Sequence, residues 1–140
     1  MNFSSIEITW LVHATENGDR IVKNLVELFL LSKDSIESYD LKGHFGNPIL
    51  FHRARLTGDE ADKFVYSLFS SLSDTNKKVL NLELSKYLDE HGALYIRIDK
   101  QSLCEGKVGM SEVDTIRIRL KPRSGLKPHK KLEYYRRLLS

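Results

Sequence analysis

An α+β domain, in which an antiparallel sheet carries helices on one face, is the fold class this sequence predicts, and three observations predict it. Apolar and polar residues alternate at Ile6–His13, Ala93–Lys100 and Val113–Lys121, the two-residue period of half-buried strands. Between them, apolar residues recur at helical spacing. The segments follow one another as strand, helix, hairpin, helices, hairpin, which is the order of helices laid on one side of an antiparallel sheet. With 140 residues, 41% of them apolar, the chain fits one domain spanning 1–140. Its core covers about 5–121, and a basic C-terminal helix is expected within 122–140.

In the first strand, Ile6, Ile8, Trp10 and Val12 alternate with Glu7, Thr9, Leu11 and His13. After a polar stretch from Thr15 to Asp19, the spacing of Ile21, Val22, Leu25, Leu28 and Phe29 predicts a helix to about Leu31. Ser35–Leu41 and Ile49–Leu56 read as a hairpin joined through Gly43-His44-Phe45-Gly46-Asn47-Pro48, whose glycines and Asn-Pro pair favour a turn. Thr57-Gly58-Asp59-Glu60 has the spacing of a capping box, in which the Thr57 hydroxyl and Glu60 carboxylate satisfy free amides at a helix start.

The helix that follows places Ala61, Phe64, Val65, Leu68 and Leu72 in one apolar stripe and turns Asp62, Lys63 and Ser67 to water. Ser73 or Asp74 caps a third helical stretch to about Lys86. The last two long strands are joined by a connection containing Lys100-Gln101 and Glu105-Gly106-Lys107. Beyond Pro122, the segment Pro128–Leu139 closes a helix with Leu132, Tyr135 and Leu139 on one side, surrounded by Lys130, Lys131, Arg136 and Arg137.

Charge is spread unevenly. Between Arg117 and Arg137 stand nine of the 22 basic residues against the single acidic Glu133, a net +8. The remaining thirteen basic and eighteen acidic residues give −5. Such asymmetry points to a polyanion partner such as nucleic acid. One cysteine, Cys104, allows no intrachain disulfide and fits a reducing compartment. The opening Met-Asn-Phe-Ser-Ser-Ile-Glu lacks the basic and apolar regions of a signal peptide, and no apolar run approaches the roughly 20 residues of a membrane span. A cytoplasmic protein with no membrane partner is expected.

If Leu94, Ile96, Ile98, Ile116, Ile118 and Leu120 face the helices, Tyr95, Arg97, Arg117, Arg119 and Lys121 face the other way. In the hairpin, the phase that turns Leu50, His52, Ala54 and Leu56 inward turns Phe51, Arg53 and Arg55 outward. Guanidinium groups match phosphate oxygens in bidentate geometry, and aromatic rings stack on unpaired bases. Exposed strands also carry arginines for solubility and to blunt edges. The coincidence of charge and aromatics on one face favours RNA binding, without a sign of sequence-specific readout.

No catalytic constellation emerges. His13, His44, His52, His91 and His129 lie far apart with no metal-ligand spacing, and neither a phosphate-binding glycine loop nor a nucleophile elbow is present. No enzyme activity, metal or cofactor is expected. Asp40, Asp99 and Asp114 could form an acidic metal cluster for phosphodiester cleavage, but Asp99 and Asp114 are more simply cross-strand partners of neighbouring arginines. The loop at Gly106 could expose amides to phosphate, and His44 and Phe45 between Gly43 and Pro48 could touch a ligand, yet such connections need glycine in any case.

Gly43-His44-Phe45-Gly46-Asn47-Pro48-Ile49 and Leu94-Tyr95-Ile96-Arg97-Ile98-Asp99-Lys100-Gln101 together resemble an archaeal family of predicted RNA-binding, exosome-associated proteins. Val12-His13-Ala14-Thr15-Glu16, Glu105-Gly106 and Ile116-Arg117-Ile118 fit the same pattern, so the resemblance spans roughly residues 6 to 121. It implies the fold of the ribosomal protein that binds 5S rRNA and an accessory RNA-binding role, with Arg97, Lys100 and Gln101 as motif positions. The expected RNA contacts are therefore Arg53, Arg55, Tyr95, Arg97, Lys100, Gln101, Arg117, Arg119, Lys121 and Arg123, with an exosome or ribosome-related complex as further partner. The alternative is a protein-interaction adaptor or homodimer. It would dock through the open sheet face or through Leu132, Tyr134, Tyr135, Leu138 and Leu139 of the terminal helix.

Overall fold

The alternation of Ile6, Ile8, Trp10 and Val12 puts four large side chains on one side of β1 (Phe3–His13), and all four are buried. The computed structural model describes residues 3–42 and 48–140. In it, β1 is the central strand of a five-stranded antiparallel sheet completed by β2 (Ile36–Lys42), β3 (Pro48–Leu56), β4 (Leu94–Asp99) and β5 (Thr115–Pro122). The strand order is β2-β3-β1-β5-β4. The fold is thus the expected α+β class, an antiparallel sheet with helices packed against it. All of the predicted turn at 43–48 except Pro48 lies outside the described residues.

The inner face is covered by α1 (Gly18–Phe29) and α2 (Gly58–Ser71), whose buried Ile21, Leu25 and Phe29 meet Ala61, Phe64, Val65 and Leu68. The rings of Phe29 and Phe64 lie 5.3 Å apart. Each of these side chains larger than Ala61 contributes about 1.5–3 kcal/mol by leaving water. Asn17 caps α1 by accepting from the Arg20 amide. Ser73 does the same for α3 (Asp74–Leu82) through the Asn76 amide, and a 3-10 turn at Leu84–Tyr87 completes the third helical stretch.

Two local expectations change. The capping box at Thr57 does not form: the Thr57 side chain makes no cap bond. The Glu60 carboxylate instead accepts the Ser32 amide at 3.4 Å, tying the start of α2 to the segment before β2. The connection after β4 begins with a short helix, α4 (Lys100–Cys104). Asp99 caps it, its carboxylate accepting the Ser102 amide at 2.9 Å and the Ser102 hydroxyl at 2.7 Å.

A bulge between Phe3 and Ser5 turns Phe3 onto the same side as Ile6 and into the core, despite its odd position in the alternation. There it meets Tyr134 and Tyr135 of α5 (Pro128–Leu139), with ring centroids 5.5 and 6.1 Å away. Tyr135 is fully buried and its hydroxyl donates to the Gly92 carbonyl at 2.7 Å. Leu132, Tyr134 and Leu138 pack against the same core, and Leu139 lies within it. The terminal helix therefore spends its apolar side on its own domain, which removes it as the adaptor surface expected above.

On the β2 side, His52 is buried as its phase predicts. It stacks on Trp10 at 5.1 Å and 19° and shares a 2.8 Å hydrogen bond with the Ser38 hydroxyl. Burial pushes its pKa below the ordinary imidazole value.

Candidate nucleic-acid interface

Register alone assembles the outer face. Arg53 of β3 pairs with Thr9 of β1, Thr9 with Arg117 of β5, and Arg117 with Arg97 of β4, forming one cross-strand row. The adjacent row runs Arg55, Glu7, Arg119, Tyr95. Lys121 extends it opposite Ser5, and Phe51 lies beside Leu11 and Tyr39 at the other end. Helices α1, α2 and α5 all contact the inner side, so this face is turned to water, as the alternation predicts.

The cations are held close, and most of them without a carboxylate partner among the described residues. The Arg117 guanidinium carbon lies 4.7 Å from the Tyr95 ring centroid and that of Arg119 lies 5.8 Å away, both within cation–π range. Arg119 also approaches Asp89 at 3.8 Å, and its Nε is buried with no hydrogen-bond partner among the described residues. Burial raises the Asp89 pKa, but amide hydrogen bonds from Ala93 and His91 and the Arg119 charge outweigh it, so the carboxyl sits below its ordinary value. Arg53 meets Glu37 at 4.0 Å, a pair exposed on both sides and worth little. Among the described residues, Arg55, Arg97, Arg117 and Lys121 have no carboxylate partner. Arg97 directly opposite Arg117 is an unfavourable pairing that an anion lying between them would relieve.

Of the ten expected contact residues, Arg53, Arg55, Tyr95, Arg97, Arg117, Arg119 and Lys121 share this face. Arg123 is exposed just past β5, and Gln101 is exposed on α4, beyond the end of β4. Lys100 is elsewhere. It is 2% exposed, and its ammonium donates to the Leu11 carbonyl at 2.7 Å, Asp114 at 2.8 Å and Glu16 at 2.9 Å. Burial works against its charge, but the hydrogen bonds it donates to Asp114 and Glu16 and the charges of those two carboxylates outweigh it and raise the pKa. Lys100 is thus an internal clamp joining the β1–α1 turn to the loop before β5, with no donor left for phosphate.

That clamp also settles the acidic cluster. Asp99 caps α4 and Asp114 holds Lys100, so neither is the cross-strand arginine partner expected. Asp40 stands on β2 at the opposite edge of the sheet. Among the described residues no group of three His, Cys, Asp or Glu side chains could hold a metal ion. No helix among them is long and apolar enough to cross a membrane.

Two residues of the face were not anticipated. Glu7 sits at its centre, and its phase was legible from the alternation of Ile6 and Ile8. Tyr39 borders Phe51 with ring centroids 6.2 Å apart, but Ser38 and Asp40 on the inner side of β2 leave no apolar alternation to reveal it.

The described geometry has known counterparts. The chain is 36% identical over 123 residues to the RNA-binding protein PAB1135 of Pyrococcus abyssi, covering 84% of this chain and 80% of that one. It is 29% identical over 119 residues to the uncharacterized protein MJ0213 of Methanocaldococcus jannaschii, covering 81% and 79%. Protein AF2318 of Archaeoglobus fulgidus, a DUF54 protein, superposes with a TM-score of 0.80 at 29% identity over 97% of this chain and 99% of that one. The DUF54 protein SSO0741 of Sulfolobus solfataricus shares the fold with a TM-score of 0.81 at 22% identity, covering 97% of both chains. A family model described as RNA binding matches residues 5–122, from the central strand to the end of β5, and the chain belongs to that archaeal RNA-binding family.

Proposed function

We propose that the protein is a cytoplasmic, non-catalytic accessory factor that holds RNA on the outer face of its sheet, serving an RNA-degradation (exosome) or ribosome-related assembly. The observation that carries this reading is the packing of Arg117 and Arg119 against Tyr95, with Arg97 directly opposite Arg117 and Arg53 and Arg55 on the far side of β1. Guanidinium groups supply phosphate contacts that fix the backbone, and Tyr95 and Phe51 supply ring faces and edges for unpaired bases. The basic segment after Pro122 adds Arg123, Lys127, Lys130, Arg136 and Arg137, all exposed. It lies around the Pro122 end of β5 and extends the positive field beyond the sheet.

Photocrosslinking of single-stranded RNA to the full chain, with the attached peptides mapped, tests this. Crosslinks are expected in β3, β4 and β5. Crosslinks confined to α1, α2 or α3 would place RNA on the opposite side and overturn the assignment.

A second reading, homodimer formation, has one observation in its favour. The outer edge of β4 is covered by the segment 109–111, where Asp99 donates to Gly109 and Ser111 to Arg97, whereas among the described residues β2 borders only β3 and displays Tyr39 and Leu41. A second copy added along β2 would continue the face. Sedimentation of the purified chain as a monomer at high concentration would remove this reading.

A further inference from the structure

Glu7 is the only acidic side chain that β1, β3 and β5 turn to the open face among the described residues. It stands directly between Arg55 and Arg119, yet forms no hydrogen bond or ion pair with any described residue. Arg119 leans away from it, toward Tyr95 and Asp89. A carboxylate left unpaired among arginines weakens phosphate binding, so its placement calls for a ligand group that only an acceptor can recognise.

The surroundings define that group. Glu7 and Thr9 form the floor of a hollow of about 380 Å³ whose sides are Phe51, Tyr95, Arg117 and Arg119. Its size is within the range of ligand clefts, roughly 300 Å³ and upward. A planar ring entering it meets aromatic walls, keeps its phosphates among the guanidinium groups at the rim, and sets one edge against the carboxylate. An ionised carboxylate offers two acceptor oxygens side by side and no donor. Guanine presents two adjacent donors, N1–H and the 2-amino group, on its Watson–Crick edge. Adenine and cytosine present one amino group beside a ring acceptor, and uracil one N–H between two carbonyls, so each sets an acceptor against a Glu7 oxygen. In a duplex the guanine edge is already used.

We propose that the hollow over β1 is a base subsite for an unpaired guanine, with its Watson–Crick edge on Glu7 and its phosphates on Arg117 and Arg119. This rests on the RNA-binding reading above and adds to it a base preference.

The test is fluorescence anisotropy of the full chain with labelled oligouridylates carrying one central G, A, C, U or inosine. The G-containing strand is expected to bind about tenfold more tightly than those with A, C or U, the discrimination of one bidentate contact. Inosine lacks the 2-amino group and should fall between. Glu7→Gln faces the guanine with one donor and one acceptor. It should abolish the preference while binding the all-U strand at least as well as the native protein, since a negative charge has left the arginine field. Equal affinity of the native protein for all five strands, or a G preference retained by Glu7→Gln, overturns the guanine subsite and leaves RNA binding standing. No binding to any strand overturns both.

Discussion

Arg117 and Tyr95 are diagonal, not opposite, across β4 and β5, yet the Arg117 guanidinium lies over the Tyr95 ring at 4.7 Å, closer than that of the directly paired Arg119. The ring gathers two cations that would otherwise repel, at a gain of about 0.5–1 kcal/mol each at such exposed sites. Tyr95 thus positions the charges and also offers its own edge to a base.

Replacing Tyr95 separates these contributions from charge. Tyr95→Ala is expected to weaken single-stranded RNA binding by about tenfold, at the scale of one lost base–aromatic contact, while leaving the salt dependence unchanged. Tyr95→Phe keeps the ring and should bind as the native protein does. Titrations at several salt concentrations check this; a change of slope without a change of intercept would contradict it.

Lys100 gives the opposite expectation. Lys100→Ala leaves the Leu11 carbonyl and the Glu16 and Asp114 carboxylates without their donor and should cost about 2–4 kcal/mol in denaturant unfolding. The folded variant should bind RNA with native affinity and salt slope. Loss of RNA affinity in a variant of native stability would return Lys100 to the interface.

His52 makes stability depend on pH through Trp10, the only tryptophan in the chain. Its folded pKa lies below the ordinary 6.5 because burial disfavours the charge. A depressed histidine pKa means its stabilisation is complete above the unfolded value and is lost as pH falls through the folded one. An imidazolium stacked on indole quenches its emission, so Trp10 fluorescence should fall as pH drops from about 7 to about 5, with its midpoint below the ordinary value. In His52→Gln both the quenching and this part of the stability change should vanish. A native emission indifferent to pH over that range would refute the coupling.

The terminal helix is part of the core, and Tyr135 shows how much. Tyr135→Ala removes a fully buried ring and its hydrogen bond to Gly92 and should cost about 3–5 kcal/mol, whereas Tyr135→Phe loses only the hydroxyl and about 1 kcal/mol. Thermal or denaturant unfolding distinguishes this from a helix that serves only as a docking surface, for which both variants would be as stable as the native chain.

The face was legible because β4 and β5 alternate strictly, and β1 from Ile6 to Trp10 and β3 from His52 to Leu56 do the same, so a single choice of phase for each strand sends every arginine of the sheet to one side. What local pattern could not reveal depends on partners distant in the chain. Lys100 continues the β4 motif in sequence, but its role is set by a carbonyl 89 residues away. Asp99 reads as a strand residue until its carboxylate is seen capping a helix too short to show a period. The inward turn of Phe3 depends on a bulge, and no alternation rule predicts where an extra residue is inserted. Thr57 and Glu60 have the right spacing for a capping box, but Glu60 is drawn away by Ser32.

The most direct measurement is the salt dependence of RNA affinity for the native chain and for Arg97→Ala/Arg117→Ala/Arg119→Ala. Each phosphate contact releases counterions and contributes about 0.7 to the slope of log affinity against log salt on a single strand. The triple variant should bind more weakly and with a slope shallower by about two units. Coincident lines for the two proteins would show that these three guanidinium groups do not hold the RNA.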